Sequence, residues 1–138
     1  MKQYIVGGFE VAEKIHATEA YKRFPEQRLH LTEAGQLAGN VIIDARGQQH
    51  SLDKHPVASF EDRLTNYIVG RNPIVMATPE EIARAREETI YVLRFILGKG
   101  GNCPINVIGR CSKLDAHQVL ELRDWLLSLK STSLALCA

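Results

Sequence analysis

The chain has 138 residues, of which 45% are hydrophobic and 24% are charged, and these values are typical of a soluble globular domain that buries its own core. The composition therefore excludes a disordered or fibrous chain. Seventeen Lys and Arg residues against sixteen Asp and Glu residues give a formal net charge of +1, which lacks the basic excess of a dedicated nucleic-acid binder. We expect one globular domain over residues 1–138, with nucleic acid an unexpected partner.

The expected location is the cytoplasm, without membrane contact. Residues 4–6 form an apolar run near the N-terminus that is too short for the core of a signal peptide. The longest nearly apolar stretch, residues 90–97, contains Arg94 and is much shorter than the roughly 20 residues that cross a bilayer. An odd set of cysteines favours free thiols in a reducing compartment: Cys103, Cys111 and Cys137.

The first half of the chain predicts alternating short elements. Apolar residues from Phe9 to Phe24 recur at helical spacing, and Pro25 ends the pattern. Thr32 and Ser59 are expected to cap two further helices. The predicted elements are a strand at 3–6, a helix at 9–24, a short helix after Thr32 that closes at Gly39 and Asn40, a hairpin at 41–52 with its turn at Gly47, and a helix at 59–69.

The second half opens with the strongest local signal in the chain. Thr78, Pro79 and Glu81 have the residue types and spacing of a capped helix start, and the helix is expected to run to Leu97. Glycines at 98, 100 and 101 end it. The other predicted elements are strands at 73–77 and 104–108, a last helix ending near Lys130, and an uncharged tail over 131–138, packed on the domain or on a partner.

This order of elements predicts an α/β fold, with α+β as the alternative. The expected architecture is a mixed β-sheet of about four to five short strands covered by four to five helices.

The apolar second half of the Thr78 helix is the first candidate for function. Residues 90–97 carry one charged side chain, Arg94, so most sides of this segment must be covered by the domain core or by a partner. The last helix also has a broad apolar face. The sequence thus predicts a non-enzymatic interaction or regulatory protein, a homodimer, with these interface candidates: Ile90, Leu93, Phe95, Ile96, Leu97, Leu122, Trp125, Leu126 and Leu129.

The alternative function is a small enzyme or a binder of an anionic ligand such as phosphate, with its site at residues 109–112. These residues follow a predicted strand and precede a predicted helix, where helix amides would bind an anion and lower the pKa of a cysteine. Cys111 is the candidate nucleophile, and the anion-binding candidates are Lys99, Arg110, Cys111, Ser112 and Lys113. Cys111 buried and inert on a solvated basic surface is the competing interpretation.

A second alternative is a nucleic-acid-binding regulator. Residues 84–113 contain six basic and two acidic side chains, which would supply a local cationic surface.

No metal or cofactor is expected. His50 and His55 are the only metal-ligand candidates that the sequence suggests, and their five-residue spacing fits neither one helix face nor one strand face.

Overall fold

The computed structural model describes the backbone of residues 2–136 and the side chains of residues 2–130. The chain forms two compact units, a helical unit made of residues 1–9 and 72–138 and a central unit made of residues 10–71. Across the described residues the architecture is α+β, with two separate two-stranded sheets in place of the predicted sheet of four to five strands. The alternative fold class is therefore the one that the structure supports.

Nine regular elements of strand or α-helix occur in the described residues. The strands are β1 (Gly7–Ile15), β2 (His30–Leu31), β3 (Leu37–Ala38) and β4 (Tyr67–Val75), paired β1 with β4 and β2 with β3. The helices are α1 (Ala17–Arg23), α2 (Val57–Leu64), α3 (Pro79–Leu97), α4 (Pro104–Ile108) and α5 (Ala116–Leu136).

The predicted first strand and helix are both displaced. Residues 3–6 are not a strand, and β1 occupies the region in which half of the first helix was expected. Phe9 lies at helical spacing from Ala12 but also alternates with Val11 as in a strand, and pairing of β1 with β4 decided between the two patterns. Only the second half of the predicted helix forms, as α1, which ends before Pro25 as expected.

The helix predicted after Thr32 is wrong, because residues 30–38 form a hairpin. His30 pairs with Ala38 and Leu31 pairs with Leu37. The Thr32 hydroxyl accepts a hydrogen bond from the Gln36 amide at 3.1 Å, so this side chain closes a turn and does not begin a helix. The following expected hairpin forms only in part, as a single bridge between Ile43 and Gln49.

The core of the central unit is small and built from short side chains. Ala17 and Ala20 of α1 lie fully buried against Val41 and Ile43. The turn after Ile43 is held by Asp44, whose carboxylate accepts from the amides of residues 46 and 48 at 2.8 and 3.0 Å. The extended segment 41–43 therefore contributes two side chains to the core, although it forms only isolated bridges and no strand of a sheet.

The helix predicted at 59–69 is also misplaced. α2 begins at Val57 after Pro56 and ends at Leu64, so Ser59 lies inside the helix. Ile68, expected on that helix, lies on β4. The predicted strand at 73–77 coincides with the end of β4, which reaches Val75.

The prediction for α3 is confirmed. The Thr78 hydroxyl accepts from the Glu81 amide at 3.2 Å, and the Glu81 carboxylate accepts from the Thr78 amide at 3.3 Å. This reciprocal pair is a capping box with Pro79 at the first helical position. Gly98 ends the helix with φ of +60°, a conformation that costs a residue without Cβ little.

The strand predicted at 104–108 is wrong, because these residues form the short helix α4. Pro104 at the first helical position and buried Val107 stabilise a helical turn that packs on α3. The last helix forms as α5. The predicted tail over 131–138 is helical as far as Leu136, and its side chains and last two residues lie outside the described part. No helix among the described residues is long and apolar enough to span a membrane.

Candidate protein-binding groove

Helices α3 and α5 of the helical unit pack side by side as an antiparallel pair. The side-chain amide of Gln118 donates to the backbone carbonyl of Ile96 at 3.0 Å, and the Lys130 ammonium donates to the Glu81 carboxylate at 2.9 Å. The C-terminal end of α3 thus contacts the beginning of α5, and the beginning of α3 contacts a later part of α5, so the two helices run in opposite directions. Polar contacts therefore fix the pair at both ends.

The end of this pair at which α3 begins is held by a buried carboxylate, that of Glu81. Glu81 accepts from the Ala77 amide at 2.8 Å and from the Lys130 ammonium, and its side chain is only 3% exposed. The Ala77 amide and then Lys130 hold the pKa of Glu81 below its ordinary value. A single residue thus caps α3 and ties α5 to it.

The middle of the pair holds the only tryptophan of the chain in a defined position. The indole N–H of Trp125 donates to the Glu88 carboxylate at 2.7 Å. The other oxygen of that carboxylate accepts from the Arg84 guanidinium at 2.8 Å. Because Glu88 is also held by Arg84, contacts within the helical unit set the orientation of the indole.

Beside Trp125 a groove of about 460 Å³ opens between the two helices. Its aromatic wall on α3 is unusually open to solvent, since Tyr91 is 68% and Phe95 is 78% exposed. The remaining lining residues are Val92, Ile96, Glu121, Asp124 and Trp125. We call this feature the α3–α5 groove.

The charged lining of the α3–α5 groove is acidic. Glu121 and Asp124 line it from α5, and neither a lysine nor an arginine does so among the described residues. The ring of His117, an exposed side chain one turn earlier on α5, lies 3.3 Å from the Glu121 carboxylate. The groove therefore combines its aromatic wall with these two carboxylates, which we call its acidic rim.

The structure separates the residues predicted as interface into different environments. Leu93, Ile96, Leu126 and Leu129 are buried in the helical unit, where they hold the helices together. Ile90, Leu97, Leu122 and Trp125 are partly buried, and Phe95 is exposed. The apolar run 90–97 thus serves as core on one side and as open surface on the other.

Sequence reasoning missed four residues of the groove: Tyr91, Val92, Glu121 and Asp124. Tyr91 and Phe95 lie four residues apart, so they share one side of α3, and that side differs from the side of Leu93. This spacing was a readable signal. The acidic residues gave none, because only packing of α5 against α3 brings them beside the aromatic side chains.

The anion site was predicted at residues 109–112 because a strand was expected before them and a helix after them, and the structure does not have that arrangement. Because 104–108 are helical, no strand leads into this turn. α5 begins at Ala116, and Asp115 and Gln118 exchange two hydrogen bonds of 2.9 and 2.8 Å at that end, so a carboxylate already occupies the positive end of the helix.

Within the part of the chain that the structure describes, no hydrogen bond joins the five side chains proposed for that anion site to one another. Cys111 is exposed, and the Ser112 hydroxyl donates to the Ile108 carbonyl at 2.9 Å. The site around Lys99, Arg110 and Lys113, with Cys111 as nucleophile, stays a prediction.

The basic segment 84–113 is partly engaged within the helical unit. Arg84 pairs with Glu88, and the Arg86 guanidinium lies 5.1 Å from the ring centroid of Tyr4, a distance at which a cation is attracted to an aromatic face. Nucleic-acid binding through this segment also stays a prediction.

The two metal candidates belong to a hydrogen-bonded loop of the central unit. The His50 ring accepts from the Leu52 amide at 3.1 Å, whereas the His55 ring lies 2.5 Å from the Asp53 carboxylate. The Gln49 amide donates to the other oxygen of Asp53 at 2.8 Å. No group of three or more His, Cys, Asp and Glu side chains within the described residues is arranged to hold a metal ion.

Burial alone would raise the pKa of Asp53, but hydrogen bonds from His55 and Gln49 outweigh it and hold the pKa below its ordinary value. The side chain is 3% exposed. Asp53 therefore acts as the charged centre that organises loop 49–55.

Comparisons of the chain with protein-family models, with curated proteins and with solved structures find no match to any of them.

Proposed function

We propose that this protein is a non-enzymatic protein-interaction module, with a regulatory role through its partner, and that the α3–α5 groove is its binding surface. The observation that carries the proposal is the exposure of Tyr91 and Phe95, 68% and 78%, beside an indole held in place by Glu88. A cluster of large apolar side chains that is open to water is typical of a surface that binds another protein, because binding removes those side chains from water.

The residue types at the groove fit this role. Trp, Tyr and Arg dominate the energetically important positions of protein interfaces, and aromatic side chains are enriched there. The fixed indole adds a further advantage, because a side chain that is already ordered loses little conformational freedom on binding. Phe95 does not serve the core of the helical unit, because a side chain that packed in the core would be buried, whereas Phe95 is largely exposed.

The proposal is tested by site-specific photo-cross-linking in the cells that make the protein. A benzoyl-phenylalanine in place of Phe95 is expected to yield a discrete, heavier protein adduct on irradiation. The matched control carries the same group in place of Leu120, a 53% exposed residue of α5 that does not line the groove, and should yield none. Equal adducts from both positions, or none from either, would refute the proposal.

A further inference from the structure

We infer that the occupant of the α3–α5 groove is an amphipathic helix of a different protein, with an apolar stripe flanked by lysine and arginine side chains. This inference rests on the proposed function and adds the chemistry of the partner. It follows from the shape of the groove, from the charge of its rim and from the like charge that a two-fold related copy of this chain would bring to that rim.

The shape of the groove favours a helix. Two antiparallel helices leave a furrow into which a third helix can lay a row of side chains, as in a helical bundle. Tyr91 and Phe95 lie one helical turn apart along α3 and form one wall of this furrow. Apolar side chains at spacings of three, four and seven residues on a partner helix would meet that wall and Trp125 in succession.

The charge of the rim selects the polar residues of that helix. Glu121 and Asp124 both line the groove and would lie within reach of long cationic side chains beside the apolar stripe. The aromatic faces of Tyr91, Phe95 and Trp125 also attract guanidinium and ammonium groups. An acidic partner would meet like charge at this rim, which costs binding energy.

The same rim disfavours a second copy of the chain as the occupant. A two-fold dimer places the same patch of both copies face to face, so Glu121 and Asp124 of each copy would enter one interface. No lysine or arginine among the described lining residues is there to neutralise them. The homodimer expected from the sequence is therefore less well supported at this surface than a basic partner.

Trp125 provides a direct readout of binding, because it is the single tryptophan of the chain. The probe is an 18-residue synthetic helix with leucine on one face and lysine elsewhere, and its isomer carries glutamate in place of every lysine. Titration of the full chain with the lysine peptide is expected to shift the Trp125 emission to shorter wavelength, with an affinity that falls as salt is added. The glutamate isomer should produce no shift.

Variants of the chain locate the binding to the groove. Phe95→Ala is expected to weaken binding of the lysine peptide by about tenfold or more, as truncation of a central interface aromatic does. Its control, Leu120→Ala, removes an exposed side chain outside the groove and should change the affinity less than about twofold. Circular dichroism of both variants should match the parent protein, because surface truncations of this kind cost little stability.

A charge-reversed groove separates this inference from the proposed function. The double variant Glu121→Lys with Asp124→Lys is expected to lose the lysine peptide and to gain the glutamate isomer. Glu61→Lys, on the exposed surface of α2, is the control for net charge and should leave both affinities unchanged.

Three outcomes would overturn the inference. Equal binding of both peptides would show that the rim does not select charge, and absence of binding by the lysine peptide would exclude the basic helix as occupant. A concentration-dependent dimer in sedimentation experiments that Phe95→Ala dissociates would identify a second copy as the occupant. In each case a discrete cross-link from position 95 alone would still support the proposed function, which fails when that cross-link is missing or when position 120 yields an equal one.

Discussion

The helical unit and the central unit reach stable structure by different routes. In the helical unit, α3 has 19 residues and a reciprocal cap, and its packing on α5 needs only a few polar contacts. In the central unit the helices have seven and eight residues, and two strands have two residues each. Short elements provide few regular backbone hydrogen bonds. Side chains supply hydrogen bonds in their place: Thr32 and Asp44 accept from backbone amides, and Asp53 accepts from the side-chain amide of Gln49.

This difference teaches where each unit is vulnerable. A long helix shares its stability over many backbone bonds, whereas a loop-rich unit depends on a few side chains with defined partners. Substitutions at those side chains should therefore matter more in the central unit than comparable substitutions do in the helical unit.

The largest effects are expected in the two cores, where the units should behave alike. Leu129→Ala in the helical unit and Ile43→Ala in the central unit each remove a side chain that is 1% exposed. Each should lower the free energy of unfolding by about 2–5 kcal/mol, because lost burial adds to the cost of the cavity. Urea denaturation followed by circular dichroism measures both.

Leu127→Ala is the matched control for Leu129→Ala, since Leu127 lies on the same helix and is 39% exposed. Its cost should be well below that of Leu129→Ala. A cost under about 1 kcal/mol for either core variant would contradict the assignment of that residue to a core.

Asp53→Ala should produce the next largest effect and tests the dependence of the central unit on single polar side chains. The substitution leaves the Gln49 amide without its carboxylate and the His55 ring without its partner, so we expect a loss of about 1–3 kcal/mol. Amide hydrogen exchange over residues 49–55 should accelerate. The neighbouring Lys54→Ala, at an exposed position, should leave exchange unchanged, and parent-like exchange in Asp53→Ala would remove Asp53 as the organiser of this loop.

Thr78→Ala tests the cap of the helical unit and should cost about 1 kcal/mol of stability. Ser59→Ala provides a sharp control, because Ser59 has the residue type of a cap but lies inside α2, which begins after Pro56. Its cost should stay within about 0.5 kcal/mol. Thermal unfolding of both variants decides the matter, and equal costs would show that the capping box contributes nothing specific.

The smallest expected effect is a shared response to acid. Glu81 in the helical unit and Asp53 in the central unit both have a pKa below the ordinary value. In the unfolded chain these groups titrate near about 4.3 and 3.9, so at acid pH the folded state binds fewer protons than the unfolded state does. Their contribution to stability is present above those values and disappears as the pH falls through the lower folded pKa.

Glu81→Gln and Asp53→Asn should therefore each flatten the decline of the unfolding temperature between pH of about 5 and 2. Differential scanning calorimetry over that range measures the slope. A slope equal to that of the parent protein in both variants would show that these carboxylates are not the groups that acid protonates to destabilise the fold.

The sequence by itself determined the elements whose signals are local. Thr78, Pro79 and Glu81 are adjacent along the chain, and the cap they form needs no distant residue, so α3 was predictable from its first residue to Gly98. Of the run 90–97, the core covers Leu93 and Ile96, whereas cover of its open side by a partner stays a proposal. These successes share a physical basis, because helix capping and helical periodicity act over about one turn.

Tertiary structure decided the rest. Phe9 fits a helical pattern with Ala12 and a strand pattern with Val11, and pairing of β1 with β4 settled the choice. The residues 104–108 look like a buried strand, but without neighbouring strands to pair with they form a helical turn against α3. The α3–α5 groove was hidden for the same reason. Asp124 and Trp125 lie 29 or more residues from Phe95 along the chain, and only antiparallel helix packing places them on one surface with it.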